Sequence, residues 1–288
     1  MASEVSVAGL SGARIWAILW QRKAVLIGVL ILATIALLAI FAPWITPYEP
    51  GRMRIAQRLR PPGAQYWFGT DEFGRDIFTR VIYGGRISLL AGALTVAVAS
   101  VCGTILGVVA GFFPKLDAAL SRVIDAMMSF PDILLAIALV AVLSPSLTNV
   151  VIALGVVYTP RVARVVRAST LVVRELLFVE AVRALGVRTS RILWRHILPN
   201  LMSPILVQLS FIFAYAILAE AGLSFLGVGV PPEIPTWGTM VAGSQQYAHQ
   251  AFWVVLFPGL AIIFTALSLQ LLGDGVRDLL DPKLKKTL

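Results

Sequence analysis

Apolar residues run through this chain in blocks too long for the half-buried elements of a soluble fold. Residues 24–45, 87–114, 133–160, 201–219 and 251–273 carry no Asp, Glu, Lys or Arg. About 20 apolar residues in a helix cross a hydrocarbon core of about 30 Å. The pattern therefore predicts an all-α integral membrane protein. Arg14, Arg22 and Lys23 precede the first block, and no small-residue cleavage site is evident before Pro43 and Pro47. A signal peptide has a shorter apolar stretch ending at such a site, so the first block reads as a retained span with a cytoplasmic N-terminus.

The block between Asp132 and Arg161 decides the number of spans. Read as one span, it gives five in total and leaves residues 161–195, with eight arginines, outside. Lys and Arg accumulate in cytoplasmic loops, which argues against that solution. The turn signal SPSLTN, residues 144–149, divides the stretch into a third span over 120–143 and a fourth over 148–168. Six transmembrane helices follow, the others being 24–45, 87–114, 201–219 and 251–273. Seventeen Lys and Arg then lie inside and seven outside, all seven in the external loop 46–86. Four acidic residues offset these only in part, and the arginines are expected to lie at the interface by snorkelling. The resulting organisation is a cytoplasmic N-terminus (1–23), a first helix (24–45), an external loop (46–86), a five-helix core (87–273) and a cytoplasmic tail (274–288). A cytoplasmic loop interrupts the core at 169–200.

Composition agrees with this reading and removes other classes. The chain has 288 residues, 58% hydrophobic and 14% charged, with a mean hydropathy of +0.87. Soluble domains carry about 25% charged residues. The net charge of +9 follows from arginine in cytoplasmic loops, so nucleic acid is not an expected partner. Cys102 stands alone in an apolar block, which leaves no disulfide framework and no cysteine metal site.

Within the second span Gly103, Gly107 and Gly111 recur every four residues, with Ala99 continuing the line. Such small-residue faces let membrane helices approach closely, and helix packing is their expected role. In the loop before that span, Thr70 or Asp71 is expected to start a helix, with Asp76 and Arg80 as an i,i+4 pair. Asp71, Glu72 and Asp76 fit no metal-ligand spacing. Asp125 and Asp132 fall in the third span, where they must face protein or water, and Glu220 stands at the outer end of the fifth.

Residues 178–199, FVEAVRALGVRTSRILWRHILP, are polar and arginine-rich in a chain that is otherwise mostly apolar. Phe178, Ala181, Val182 and Leu185 follow the i, i+3, i+4, i+7 rule for one apolar helix face. Gly186 stands where a helix takes a left-handed C′ residue. Thr189 and Ser190 are expected to cap a second helix, and Pro199 to mark the turn into the next span. This reads as a helix–turn–helix loop presented to a partner, with a helix folded back on the chain's own spans as the alternative.

Four stretches resemble one family. EAVRALG (180–186) followed by HILPN (196–200) resembles the EAA loop of ABC importer permeases. GTDEFGRD with TRVIYGGRISL (69–89), LSFLGVGVPPEIPTWGTM (223–240) and GDGVRDLLDP (273–282) resemble the C-type subunits of its peptide/nickel branch. The resemblance covers nearly the whole chain, with Val182 in place of the second Ala and His196 where the general pattern often has Ile.

The resemblance implies a type I ABC importer permease fold whose loop forms a coupling helix. Phe178, Glu180, Ala181, Val182, Arg183, Leu185 and Gly186 would then dock on a cytoplasmic ATPase. Asp71, Gly74, Arg75, Asp76, Pro231, Pro232 and Trp237 fall in loops that would face an extracytoplasmic substrate-binding protein. It implies a related B-type permease as heterodimer partner, two ABC ATPase subunits that bind the ATP and magnesium, and membrane lipid around a multi-pass chain in a bacterial or archaeal inner membrane. No Walker A pattern, GxxxxGK[ST], occurs, so the chain itself is expected to bind no cofactor and catalyse nothing. Dipeptides or oligopeptides are the leading cargo, with nickel chelates, glutathione or oligosaccharides as alternatives. An ion-driven carrier would place ionisable groups deep in the membrane and show internal repeats. Here Asp125, Asp132 and Glu220 lie near span ends and no repeat is visible. A membrane enzyme has little to work with, since His196 and His249 fall on opposite sides and no GxSxG or HExxH is present.

Overall fold

The computed structural model describes residues 23–280. The terminal segments 1–22 and 281–288, expected in the cytoplasm, lie outside the described residues. The helices are α1 (Lys23–Ile40), α2 (Ile77–Phe112), α3 (Pro114–Met128), α4 (Asp132–Leu143), α5 (Leu147–Arg174), α6 (Leu177–Ala184), α7 (Thr189–Ile192), α8 (Leu198–Phe225), α9 (Trp237–Ser244) and α10 (Trp253–Leu280). Among the described residues there is no strand, and five helices are long and apolar enough to span alone. The pair α3–α4 provides a sixth span if the bent pair is counted as one.

The seam between α2 and α5 organises the bundle. Gly103 meets Val162, Gly107 meets Ala163 and Val166, and Gly111 meets Thr170. Numbers rise together on both helices, so they run parallel. A Cβ at Gly103 would stand 2.5 Å from the Val162 Cβ, and one at Gly107 would stand 2.6 Å from the Ala163 carbonyl oxygen. No methyl fits, and the glycines bring two backbones together as small residues do in membranes. Elsewhere on α5, Val150, Leu154 and Val157 share one buried cluster with Leu201, Ile205, Ile212 and Ala216 of α8. The helix α1 runs antiparallel to α10, with Gly28 against Leu271 and Gly275 against Val25. Its other face exposes Ile27, Leu30 and Leu37, as a lipid-facing helix does.

The third span is not the single helix expected over 120–143. It breaks at Ser129–Pro131, and α3 and α4 meet at a 92° bend. Pro131 lacks an N–H and keeps its predecessor out of the helical region. The 12 residues of α4 reach only about 18 Å, and α3 alternates polar Lys115, Asp117 and Arg122 with exposed apolar Leu116 and Val123. The turn at 144–149 forms as expected. Ser146 caps α5 through the Asn149 N–H at 3.1 Å, and the Asn149 side chain donates to the carbonyls of Leu143 and Ser144 at 2.6 and 2.9 Å.

Two further boundaries differ from expectation. Helix α2 starts at Ile77, inside the loop expected over 46–86, and Asp76 is its cap rather than Thr70 or Asp71. Pro199 does not end an element. The chain passes from α7 through a π-helical turn, Leu193–Ile197, directly into α8. The Leu198 N–H reaches back to the Leu193 carbonyl, and the Asn200 amide donates to the His196 carbonyl at 2.7 Å. The wider turn accommodates the proline ring, which clashes with the preceding turn of a regular helix. Residues Thr189–Phe225 therefore form one 37-residue rod.

Candidate functional site

The loop at the end of α5 folds as helix, turn, helix. Gly186 takes φ +72°, the left-handed conformation that costs glycine nothing. The Gly186 N–H donates to Arg183 at 3.0 Å and the Val187 N–H to Val182 at 3.4 Å, the two bonds of a Schellman motif. Thr189 and Ser190 do not cap the following helix; Arg188 holds the cap position, with no side-chain hydrogen bond.

Helix α6 divides its faces differently from the expected apolar stripe. Val179 is fully buried, and Val182 and Val187 pack with it on the main core. The Arg183 guanidinium lies 5.5 Å from the Phe112 ring, though the residue stays exposed. Leu177, Ala181 and Leu185 fall in one i, i+4, i+8 row with Phe178 and Ala184 beside it, and all five are exposed. Leu177 and Leu185 leave 83% and 81% of their surface open. Phe178 rests one edge on His196, ring centres 6.4 Å apart, which ties α6 to the π-helical turn. Val182 thus belongs to the floor of this element, and Leu177 and Ala184 belong to its outer face. Glu180 stands exposed beside it.

At the opposite end of the bundle, residues 69–76 close into a tight loop. Asp71 accepts from the N–H groups of Phe73 and Arg75, both at 2.9 Å, and from the Arg75 Nε at 2.6 Å. Arg80 approaches the same carboxylate at 3.6 Å and also donates to the Pro50 carbonyl. Arg80 therefore pairs with Asp71, while Asp76 is taken up in capping α2 through Thr79, N–H at 2.8 Å and hydroxyl at 2.6 Å. Gly74 has φ +71°, and a Cβ there would meet the Arg54 carbonyl oxygen at 1.9 Å. Arg54 itself donates to the Tyr66 hydroxyl and lies over the Tyr48 ring. Arg54, Arg75 and Arg80 are held by acids, carbonyls and rings instead of snorkelling. Burial pushes the carboxyl pKa of Glu72 up, and that of Asp76 likewise.

Asp71, Asp76 and Trp237 are buried, so they shape this end without offering a contact surface. Trp237 lies flat against Gly84 and Gly85. Within residues 69–76 and 231–237 the exposed positions are Phe73, Pro232 and Glu233, with Pro231 half-buried. Between them opens a cavity of about 390 Å³ lined by Glu72, Arg75, Pro232, Gln246 and Tyr247, among others. Glu220 is also buried, inside α8 rather than at its end, where it accepts from Ser224 and Thr236 at 3.0 and 2.9 Å.

A third feature was not anticipated as a unit. Arg161, Arg164 and Arg167 of α5 each meet an aspartate of the bent pair. Arg161 bonds Asp132, Arg164 reaches Asp125 at 2.6 Å, and Arg167 grips Asp117 with its Nη2 at 2.8 Å. The signal was available: arginine at every third position of one helix, and three aspartates on the segment before it.

A family model described as "Binding-protein-dependent transport system inner membrane component" matches residues 103–286. A second, "N-terminal TM domain of oligopeptide transport permease C", matches residues 12–62. A chain from Brucella suis biovar 1 is 49% identical, over 93% of this chain and 90% of its own length. The dipeptide transport system permease protein DppC of Alkalihalophilus pseudofirmus is 45% identical, over 92% of this chain and 88% of that one. Among solved structures, a chain of the inward-facing MetNI methionine ABC transporter superposes with a TM-score of 0.59 at 18% identity. It covers 71% of this chain and 98% of that one, a likeness of fold.

Proposed function

Because this chain belongs to the family of binding-protein-dependent transport system inner membrane components, we propose that it carries dipeptides or oligopeptides through the membrane-spanning part of an ATP-driven importer. The family assignment makes it an ABC importer permease with an ATPase and a binding protein as general partners. The peptide cargo rests on the names of its relatives. The observation that carries the mechanism is the outer face of α6. An apolar row centred on Ala181, with nothing of its own chain upon it, suits a partner groove that takes an amphipathic helix. The small Ala181 allows close approach, and Glu180 supplies a charged contact at the rim.

The chain's own part in coupling is to transmit movement. Val179 and Val182 root α6 in the core, Gly186 fixes its turn, and the rod Thr189–Phe225 leads from there across the bundle. That rod is about 55 Å long. Displacement of α6 therefore moves α8 as well, and α8 packs on α5 at the centre of the core. On this reading the α6 end is cytoplasmic, as are both termini, and the chain lies in a bacterial or archaeal inner membrane. A homologous B-type permease completes the pathway. Two ATPase subunits bind the ATP and magnesium, this chain having no catalytic role. The exposed Phe73, Pro232 and Glu233 at the far end form the surface for the substrate-binding protein.

The test is reconstitution. The chain purified from its own membranes should bring ATPase subunits with it. In proteoliposomes supplied with the binding protein, that complex should take up labelled dipeptide only when ATP is present. Uptake that follows an ion gradient and ignores ATP would overturn the assignment.

A further inference from the structure

The first rung of the Arg–Asp ladder differs from the other two. Asp132, the acid that Arg161 bonds, lines a cavity of about 240 Å³ together with Ile133, Leu154, Tyr158, Tyr215, Leu218 and Ala219. Three helices contribute, α4, α5 and α8. Arg161 lies 14 residues into α5, about 21 Å from its Leu147 end, well within the thickness of a membrane. Its guanidinium carbon stands 5.6 Å from the centre of the Tyr158 ring and 5.4 Å from that of Tyr215. Both distances are within cation–π range. Asp132 and two aromatic rings thus form a cage for one cation, and Arg161 fills it. The rest of the lining is apolar. Asp132 faces this space, and the pair is only partly covered, with 33% of Arg161 and 35% of Asp132 exposed.

We propose that this cage is a subsite for the terminal ammonium of a peptide in transit, with Arg161 as an intramolecular placeholder. The inference rests on the peptide-import reading and adds which end of the peptide is read, and by what. A carboxylate beside two aromatic faces holds an organic ammonium by charge and by the ring quadrupoles. The apolar wall of Ile133, Leu154 and Leu218 receives the first side chain. Pockets for whole drug-sized ligands measure about 300–1,000 Å³. This smaller space accepts one residue of a peptide and leaves the remainder outside, so the contact is independent of peptide length.

Arg161 serves two purposes. In the absence of cargo it neutralises Asp132, which at this depth is expensive to leave unpaired. When an ammonium arrives, Arg161 must give up the carboxylate and stays beside it as a competitor. Competition between the two cations keeps the contact weak. A translocation path requires such weakness, since binding must be favourable enough to enter and weak enough to leave.

The experiment uses the complex purified from its own membranes, without the binding protein, and measures binding of leucylglycine and of N-acetyl-leucylglycine by calorimetry. The free-ammonium peptide should bind and the acetylated one should not. Asp132→Asn should weaken leucylglycine binding about tenfold or more, whereas Arg161→Gln should strengthen it several-fold by removing the competitor. A purely structural pair predicts that both substitutions weaken binding alike. Equal binding of the two peptides, no binding of either, or weaker binding in Arg161→Gln would each overturn the subsite. The parallel uptake assay separates the two readings. ATP-driven peptide uptake by the parent complex combined with any of these results removes the subsite alone, whereas absence of peptide uptake removes the transport reading beneath it.

Discussion

The indole N–H of Trp237 donates to the carbonyl of Val81 at 2.9 Å, while the Trp237 backbone N–H donates to the Ser88 hydroxyl at 3.1 Å. These two bonds hold α9 across the head of α2, where Gly84 and Gly85 leave room for the ring. Trp237→Ala should therefore cost about 3–5 kcal/mol, as large aromatic truncations in packed sites do. Trp237→Phe should cost less, because it keeps the packing and loses only the donor. Thermal unfolding in detergent ranks the two. Equal midpoints for parent and Trp237→Ala would show that α9 is not anchored here.

The outer face of α6 separates folding from coupling. Ala181 touches nothing in this chain that a longer side chain must displace, so Ala181→Arg should leave stability within about 0.5 kcal/mol of the parent. The same variant should lose the ATPase subunits on purification. Retention of stoichiometric ATPase would refute α6 as the docking element.

Gly186 and Glu180 test the turn and the rim. Proline at 186 cannot adopt φ +72° and removes the N–H bonded to Arg183. Both Gly186→Pro and Glu180→Lys should reach the membrane at parental levels, as a quantitative blot reads, yet abolish ATP-driven uptake. Normal uptake by both would sink the coupling role of this loop.

The glycine seam predicts a stability effect without a surface effect. Gly107→Val places atoms where the Ala163 carbonyl and Val166 already stand, and overpacking of this kind costs about 1–3 kcal/mol. A lower melting midpoint, with Gly51→Ala unchanged as an open-site control, is the expected pair of results. Gly51 has open space around it.

The raised pKa of Glu72 has a defined sign. A carboxyl raised above its ordinary 4.5 contributes stability that is complete below that value and is lost as pH rises through the folded pKa. Glu72→Gln, which stays neutral, should therefore be the more stable protein at pH 7, and its advantage should vanish as pH falls toward 4.5. Melting midpoints of the two proteins across that range give the answer. An advantage that grows on acidification would contradict burial as the cause.

The long helices were legible because uncharged apolar blocks mark them, and the parallel course of α2 and α5 agrees with a return of the chain between them. Gly186 was legible for a local reason, since one residue's backbone conformation is set within a turn. The faces of α6 were not. Periodicity places Val182 in the apolar arc but does not say which edge of the arc the core takes, and the core took Val179 and Val182 together. Trp237 and Asp76 were assigned to an exposed loop because their neighbours are polar. Their burial depends on α2, which lies more than 140 residues before Trp237. The bend at Pro131 was hidden because the apolar residues on both sides of it read as one span, and the Arg–Asp ladder depends on that bend.

The ladder has an electrical consequence. Moving one elementary charge across the membrane potential changes the energy by about 2.3 kcal/mol per 100 mV. Three lone arginines on α5 would make any shift of that helix along the field a voltage-dependent event. Each travels with an aspartate, so the three rungs add no net charge to a joint movement of α5 and the bent pair. The ladder itself thereby contributes no voltage dependence to a shift of α5, and on the coupling reading proposed above the direction of that shift is left to the force applied at α6.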